Sequence, residues 1–394
     1  MTTLRSLHAF VNGKRVGRLD EVQAADGIAP TYRFAYEGSL STSDAVSVTM
    51  PTTKSEFTTQ RIPPIFTQNM PEGPRLASLM KAGKIIRLDD HFGIISATGA
   101  IAIGRVRMSP DTTLATELLP SITEKDGRAS LLKILEGLGI SQGISGAQPK
   151  MLSTIPRTLY GERVIAKTFD PQEYPDLALN EFHTINAARL SGLLVPAVRL
   201  STDESILIVD RFDLREASFL GVEEATTLTS LTPDEKYLGS YESVARAIEK
   251  FVDDKALAMA QFFRLLLFNC VVRNGDAHAK NFAVLVNENA VAFAPAYDLV
   301  TTGVYLGPAE SPALALEWDN FSKKWWPRKE LEAFASQTLL LGRREIAGIF
   351  DAVCSGVEKA LADLPDRPTT NAMRALWVGG LQQYCGVGKV PKNK

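Results

Sequence analysis

The nine residues 274–282 read NGDAHAKNF and place Asp276, His278, Lys280 and Asn281 within six positions. Asp276 and Asn281 are five apart, and the hairpin that follows, FAVLV then NENA then VAFAPAYD, ends at Asp298. Phosphoryl transfer uses this set: one carboxylate orients or deprotonates the attacking hydroxyl, and an amide and a second carboxylate hold Mg²⁺ on the phosphates. Asp276 is the candidate base, and Asn281 and Asp298 are the candidate metal ligands. Lys280 would add positive charge beside the transferring group. His278 would orient Asp276 or touch a phosphate, and a structural hydrogen bond is an equal reading. For the stretch as a whole the competing reading is a polar turn that closes a helix.

A kinase also needs a lysine on a strand, set against the phosphates and paired with a glutamate on a helix. VIAK ends at Lys167, and Glu181 lies fourteen residues on, near the start of a helical stretch. A lysine that snorkels from an apolar strand is the alternative. SILIVDRFD offers Asp210, Arg211 and Phe212 as a segment whose backbone could meet an adenine ring. GISGAQPK, residues 143–150, carries Gly143, Ser145 and Gly146 in a short turn, where backbone N–H groups can approach phosphate oxygens. It matches neither GxxxxGK[ST] nor GxGxxG, so a plain turn stays open.

The elements that must position these residues fall into three stretches. Residues 1–110 are β-rich: LHAFVNGKRVGRLD is a hairpin with an Asn-Gly turn, TYRFAYEGSL and AVSVTMP alternate like strands, PRLASLMKAGK is a short helix, and GIISATGAIAIGRVRM reads as a hairpin turning at Gly99. Residues 111–215 combine a helix, ASLLKILEGLG, the Gly-rich turn, the strand ERVIAKTFD, the helix LALNEFHTINAARLSG and two further strands. Residues 216–394 are mostly helical, with KALAMAQFFRLLLFNCVVRN as a buried helix that runs into NGDAHAKNF, a hairpin after it, and helices at about 328–363 and 371–384.

Composition bounds the rest. A chain of 394 residues exceeds one ordinary core, and 45% hydrophobic with 22% charged residues is globular. A net charge of −2 gives no basic field that would make nucleic acid the main ligand. The three cysteines, Cys270, Cys354 and Cys385, form no CxxC pair, which argues against a disulfide framework or zinc site and for a reducing compartment. No apolar leader opens MTTLRSLHAF, and LLLFNCVV is too short to cross a bilayer, so the expectation is a cytoplasmic protein with no membrane partner.

Taken in order, GISGAQPK, VIAK, NEF, VDRFD, NGDAHAKNF and APAYDLV resemble the HipA family of serine/threonine kinases, the toxins of HipA–HipB toxin–antitoxin modules. The resemblance covers nearly the whole chain. It implies an α+β, bilobal protein-kinase-like fold, with a helical C-lobe of the PI3/4-kinase kind and an added β-rich N-terminal subdomain. It implies ATP and Mg²⁺ as cofactors, with ATP between the lobes. Asp276 then matches the catalytic aspartate, Asn281 and Asp298 the metal ligands, and Lys167 the ATP-contacting lysine. Asp210, Arg211 and Phe212 match the adenine segment. Ser145, Gly146, Ala147, Gln148, Pro149 and Lys150 match the ATP loop, and His278 and Lys280 the nucleotide-contacting stretch. Glu181 is the supporting ion-pair partner. The implied partners are a protein substrate such as an aminoacyl-tRNA synthetase, a small helix-turn-helix HipB-like antitoxin, and operator DNA through that antitoxin. One departure stands out. The serine that well-known members autophosphorylate is Gly143 here, and Ser145 matches a second serine used by some relatives.

Two other classes share parts of this pattern. Aminoglycoside phosphotransferases also place Gly-Asp ahead of Asn at this spacing, although their loops and N-terminal unit differ. An ATP-binding corepressor scaffold without turnover would need the ATP residues but not Asp276.

Overall fold

The computed structural model describes residues 3–23, 29–81, 83, 87–114, 119–138, 142, 144–145, 148–155, 162–215, 218–288, 290–307, 310–317 and 320–386. The chain forms two compact units. One comprises Met1–Thr168, Asp210–Lys236 and Ala283–Val291; the other comprises Phe169–Val209, Tyr237–Phe282 and Ala292–Lys394.

The first unit opens with the strands Thr3–Val11 and Lys14–Gln23, joined at Asn12 and Gly13, which both take positive φ as a tight hairpin turn requires. Pro30–Tyr36, Glu56–Thr59 and Val106–Ser109 complete a five-stranded antiparallel sheet. One face of it, with Leu7, Val16, Leu19 and Phe34, packs on Ile65, Phe66, Phe92 and Ile95 from two of the helices in this unit. The strand GIISATG expected to turn at Gly99 is instead the helix His91–Thr98. Asp90 caps it by accepting from the Gly93 N–H at 3.0 Å, and only Val106–Ser109 of that stretch is strand. AVSVTMP forms no strand beyond a bridge from Ser47 to Met50. Next come the helix Arg128–Leu138 and a hairpin of Lys150–Ile155 with Glu162–Thr168. The strand Gly221–Glu224 pairs antiparallel with Ala283–Val286.

The second unit is helical around Lys255–Val272, which starts at an Asp254 cap and ends at Arg273 in a left-handed conformation. From Ala258 onward the helix is mostly apolar and buried, as a helix packed among others must be. By length and composition alone it could cross a membrane, but 72% of that window is buried inside the protein. Packed with it are Tyr241–Phe251, Arg343–Ala360 and Pro368–Cys385, and Leu177–Leu190 packs on Arg343–Ala360. Gly356 and Gly380 each allow a close approach: a Cβ at Gly356 would clash with the Ser191 backbone at the end of Leu177–Leu190, and one at Gly380 would clash with the Val271 backbone of the long helix. Cys354 and Cys385 form a disulfide, which corrects the expectation of unpaired cysteines. Two neighbouring helices bring together residues 31 apart, a spacing that no short cysteine motif announces. Cys270 is buried and free.

Candidate active site

In NGDAHAKNF, small apolar residues anchor the loop and polar ones project from it. Ala277, Ala279 and Phe282 are fully buried, and the Phe282 ring packs 5.0 Å from Phe262 on the long helix. Asn274 Nδ2 donates to Asn269 Oδ1 at 3.1 Å, and its own Oδ1 accepts the Asp276 N–H at 3.2 Å. The His278 N–H returns to the Asp276 carbonyl at 2.8 Å, and the Asn281 N–H to the His278 carbonyl at 2.9 Å. Buried backbone polar groups must be paired, and this loop pairs them within itself. Asp276 is left exposed, whereas His278, Lys280 and Asn281 are buried.

The Asn281 Oδ1 atom is buried and has no hydrogen-bond donor among the described residues. An orphaned amide oxygen costs free energy unless a ligand meets it. Asp298 adopts φ +53°, a left-handed conformation that Asp tolerates better than most residues and that clusters at functional sites. The Tyr297 hydroxyl donates to the Lys280 carbonyl at 2.6 Å, so the residue before Asp298 is tied to the residue before Asn281. Past Asp298, the Thr301 N–H donates to Asn180 Oδ1 at 2.9 Å, and Trp377 Nε1 donates to Thr301 Oγ1 at 2.7 Å. One carboxylate and one amide oxygen make a hard-oxygen pair of the kind that holds Mg²⁺ when nucleotide phosphates supply the other ligands. No cluster of three His, Cys, Asp or Glu suited to a metal occurs among the described residues.

Gly275 has no room for a side chain: a Cβ there would lie 2.6 Å from Glu310. Glu310 accepts from the Gly275 N–H at 3.2 Å and from Thr302 Oγ1. Burial pushes its carboxyl up to about 7, against the Thr302 hydrogen bond. Trp325 Nε1 donates to the Glu310 carbonyl at 3.0 Å, and the adjacent Trp326 is core.

In the first unit, Lys150 and Lys167 are directly opposed across the hairpin, and both are 7% exposed. The described residues ahead of Lys150 are met by side chains from other segments. Arg75, itself buried, donates to the Ile144 carbonyl, and Gln142 exchanges two hydrogen bonds with Leu152, at 2.7 and 3.2 Å. Burial lowers the Arg75 guanidinium to about 10. Ser145 Oγ donates to Glu72 Oε1 at 3.2 Å, and Lys236 Nζ meets Glu72 Oε2 at 2.7 Å. Gln148 and Pro149 are half-buried ahead of Lys150. Gly143, Gly146 and Ala147 lie outside the described residues.

Asp210 ends the strand Ile206–Asp210, and Phe212 follows in a turn. The Arg211 guanidinium is committed elsewhere: its Nε and Nη2 donate to Asp213 at 2.9 and 2.6 Å, fully buried. Burial alone would raise the Asp213 carboxyl, but the Arg211 hydrogen bonds and charge hold it below the usual range. Glu181 is buried on the helix Leu177–Leu190, beside Asn180. Sequence reasoning gave no role to Asn180, Tyr237, Tyr297, Thr301 or Glu310. Of these, Asn180 and Tyr297 lie inside the stretches NEF and APAYDLV.

Two family models match the chain: the HipA N-terminal domain over residues 7–109 and the HipA-like C-terminal domain over residues 142–361. A Sinorhizobium fredii protein named "Putative kinase Y4dM" is 25% identical over 347 residues, covering 80% of this chain and 76% of its own length. The serine/threonine-protein kinase toxin HipA of Shewanella oneidensis is 23% identical over 341 residues, 78% of each chain. Among solved structures, the complex of HipA, HipB and operator DNA from Shewanella oneidensis MR-1 contains a chain that superposes with a TM-score of 0.74 at 19% identity, covering 96% of this chain and 97% of that one. Fold and relatives together define a kinase of mixed α+β architecture. The chain belongs to the HipA family of toxin kinases.

Proposed function

We propose that this chain is an ATP-dependent serine/threonine protein kinase acting as the toxin of a toxin–antitoxin module. The observation that carries the reading is the bond tying the residue before Asp298 to the residue before Asn281, whose buried amide oxygen has no donor among the described residues. Asn281 and Asp298 would hold Mg²⁺, which neutralises charge on the ATP phosphates. Asp276 positions the acceptor hydroxyl from an exposed place on a rigid loop. Lys150 and Lys167 contact the phosphates, Glu181 is the supporting ion-pair residue, and His278 and Lys280 contact the nucleotide. The backbone of Asp210, Arg211 and Phe212 meets the adenine. The rate gain would come from positioning and charge neutralisation.

Ser145 is the autophosphorylation site in this reading. Its hydroxyl already rests on a carboxylate, Glu72. A phosphate there would bring about −2 of charge against Glu72, break that contact and loosen the turn. The antitoxin is a small helix-turn-helix protein of the HipB kind that carries the toxin to operator DNA, the cell compartment is the cytoplasm, and the acceptor is a translation component such as an aminoacyl-tRNA synthetase. The test is labelled ATP with Mg²⁺, added to the chain alone and in a translation extract, with phosphosites mapped by mass spectrometry. A labelled extract protein and a Ser145 phosphopeptide are expected. Label on a sugar or drug but on no protein would overturn the protein-kinase reading.

A further inference from the structure

Asp276 does not stand bare in the absence of an acceptor. The Tyr237 hydroxyl donates to Asp276 Oδ1 at 2.7 Å, and the Tyr237 ring sits edge-on to His278, with ring centres 5.1 Å apart. A hydroxyl donating to this carboxylate is the arrangement that an acceptor serine or threonine must adopt for phosphoryl transfer. Both partners are open to water, Asp276 as an exposed residue and Tyr237 at 43% exposure. An exposed hydrogen bond of this kind exchanges readily with solvent and contributes little to holding the fold. The chain behind it is fixed. Ser240 caps the helix Tyr241–Phe251 and donates to Glu317 Oε1 at 2.7 Å, while Gly239 between them takes φ +90°.

We propose that Tyr237 is an acceptor-site gate: its hydroxyl occupies the acceptor's place on Asp276, and a substrate hydroxyl must displace it. The proposal rests on the reading of Asp276 as the acceptor-positioning carboxylate. It makes Tyr237 a determinant of which acceptors enter, because only a segment that both offers a hydroxyl and moves the ring off His278 gains access. A residue that merely oriented Asp276 would support turnover, whereas a gate opposes acceptor binding, and the two predict opposite kinetics.

The test compares wild type, Tyr237→Phe and Asp276→Ala as full-length chains, with ATP, Mg²⁺ and myelin basic protein as a generic acceptor. Removing the hydroxyl but keeping the ring is expected to lower KM for the acceptor roughly two- to tenfold, the worth of one hydrogen bond, with kcat and KM for ATP unchanged. A fall in kcat, an unchanged acceptor KM, or phosphate recovered on Tyr237 itself would each overturn the gate. Transfer that survives Asp276→Ala would instead defeat the assignment of Asp276. A second readout needs no acceptor. With 3-fluorotyrosine incorporated, the ¹⁹F signal lost in Tyr237→Phe should move in Asp276→Asn relative to wild type, and an unmoved signal would overturn the contact in solution.

Discussion

The Tyr297 hydroxyl donates to the Lys280 carbonyl at 2.6 Å, and by that one bond the chain ahead of Asp298 is held against the chain ahead of Asn281. Two residues 17 apart in sequence thereby set the relative position of the two proposed Mg²⁺ ligands. Tyr297→Phe should leave the fold intact and raise the Mg²⁺ concentration for half-maximal transfer several-fold, as expected for a lost hydrogen bond of about 1 kcal/mol. A Mg²⁺ titration superimposable on wild type would show that the bond does not organise the ligands.

The helix Pro368–Cys385 crosses the long helix at Gly380, against the Val271 carbonyl, two residues before Arg273 ends that helix. The obstacle is backbone, so it cannot swing aside. Gly380→Ala should destabilise by about 1–3 kcal/mol, the usual cost of overpacking. It should also slow transfer more than it weakens ATP binding, because the displaced helix end carries Asp276. Thermal melting and kinetics on one preparation separate the two effects.

Glu223 in the first unit is fully buried, and burial raises its carboxyl to about 7 against hydrogen bonds from Ser47 Oγ and the Val48 N–H. The folded state therefore holds a proton that the unfolded chain releases near pH 4.5. Stability falls as pH rises through the window from about 4.5 to 7, by about 3 kcal/mol at most. Glu223→Gln stays neutral, and Ser47 can turn its hydroxyl to accept. Denaturant midpoints across that window should be flatter for the variant than for wild type, and parallel curves would rule out this titration.

The Cys354–Cys385 disulfide closes a 31-residue separation between adjacent helices. A loop of that size corresponds to about 3–4 kcal/mol in the chain-entropy model. Dithiothreitol should lower the melting temperature of wild type and leave that of Cys354→Ser unmoved. Equal sensitivity of the two proteins would mean that the bond does not form in solution.

The legible parts of the site are those written locally. NGDAHAKNF stands out because a polar run interrupts an apolar helix and an apolar strand, and Lys167 because it ends a strand. The opposition of Lys150 to Lys167 was not legible, since register depends on the turn between their strands. GIISATG has the apolar run of either a strand or a buried helix, and the decision came from Asp90, a cap just ahead of it. Tyr237, Thr301, Glu310 and Trp377 reach the loop or its supports from distant segments, where only the packed fold brings them. The cysteine pair escaped notice for the same reason.

The most direct test of the account is single-turnover phosphoryl transfer from Mg²⁺·ATP by Asp276→Ala beside wild type, with ATP affinity measured on the same samples. The account predicts a rate lower by about 10²–10⁴, the range for a lost acid–base group, with ATP affinity and melting temperature unchanged. Transfer at the wild-type rate would contradict it.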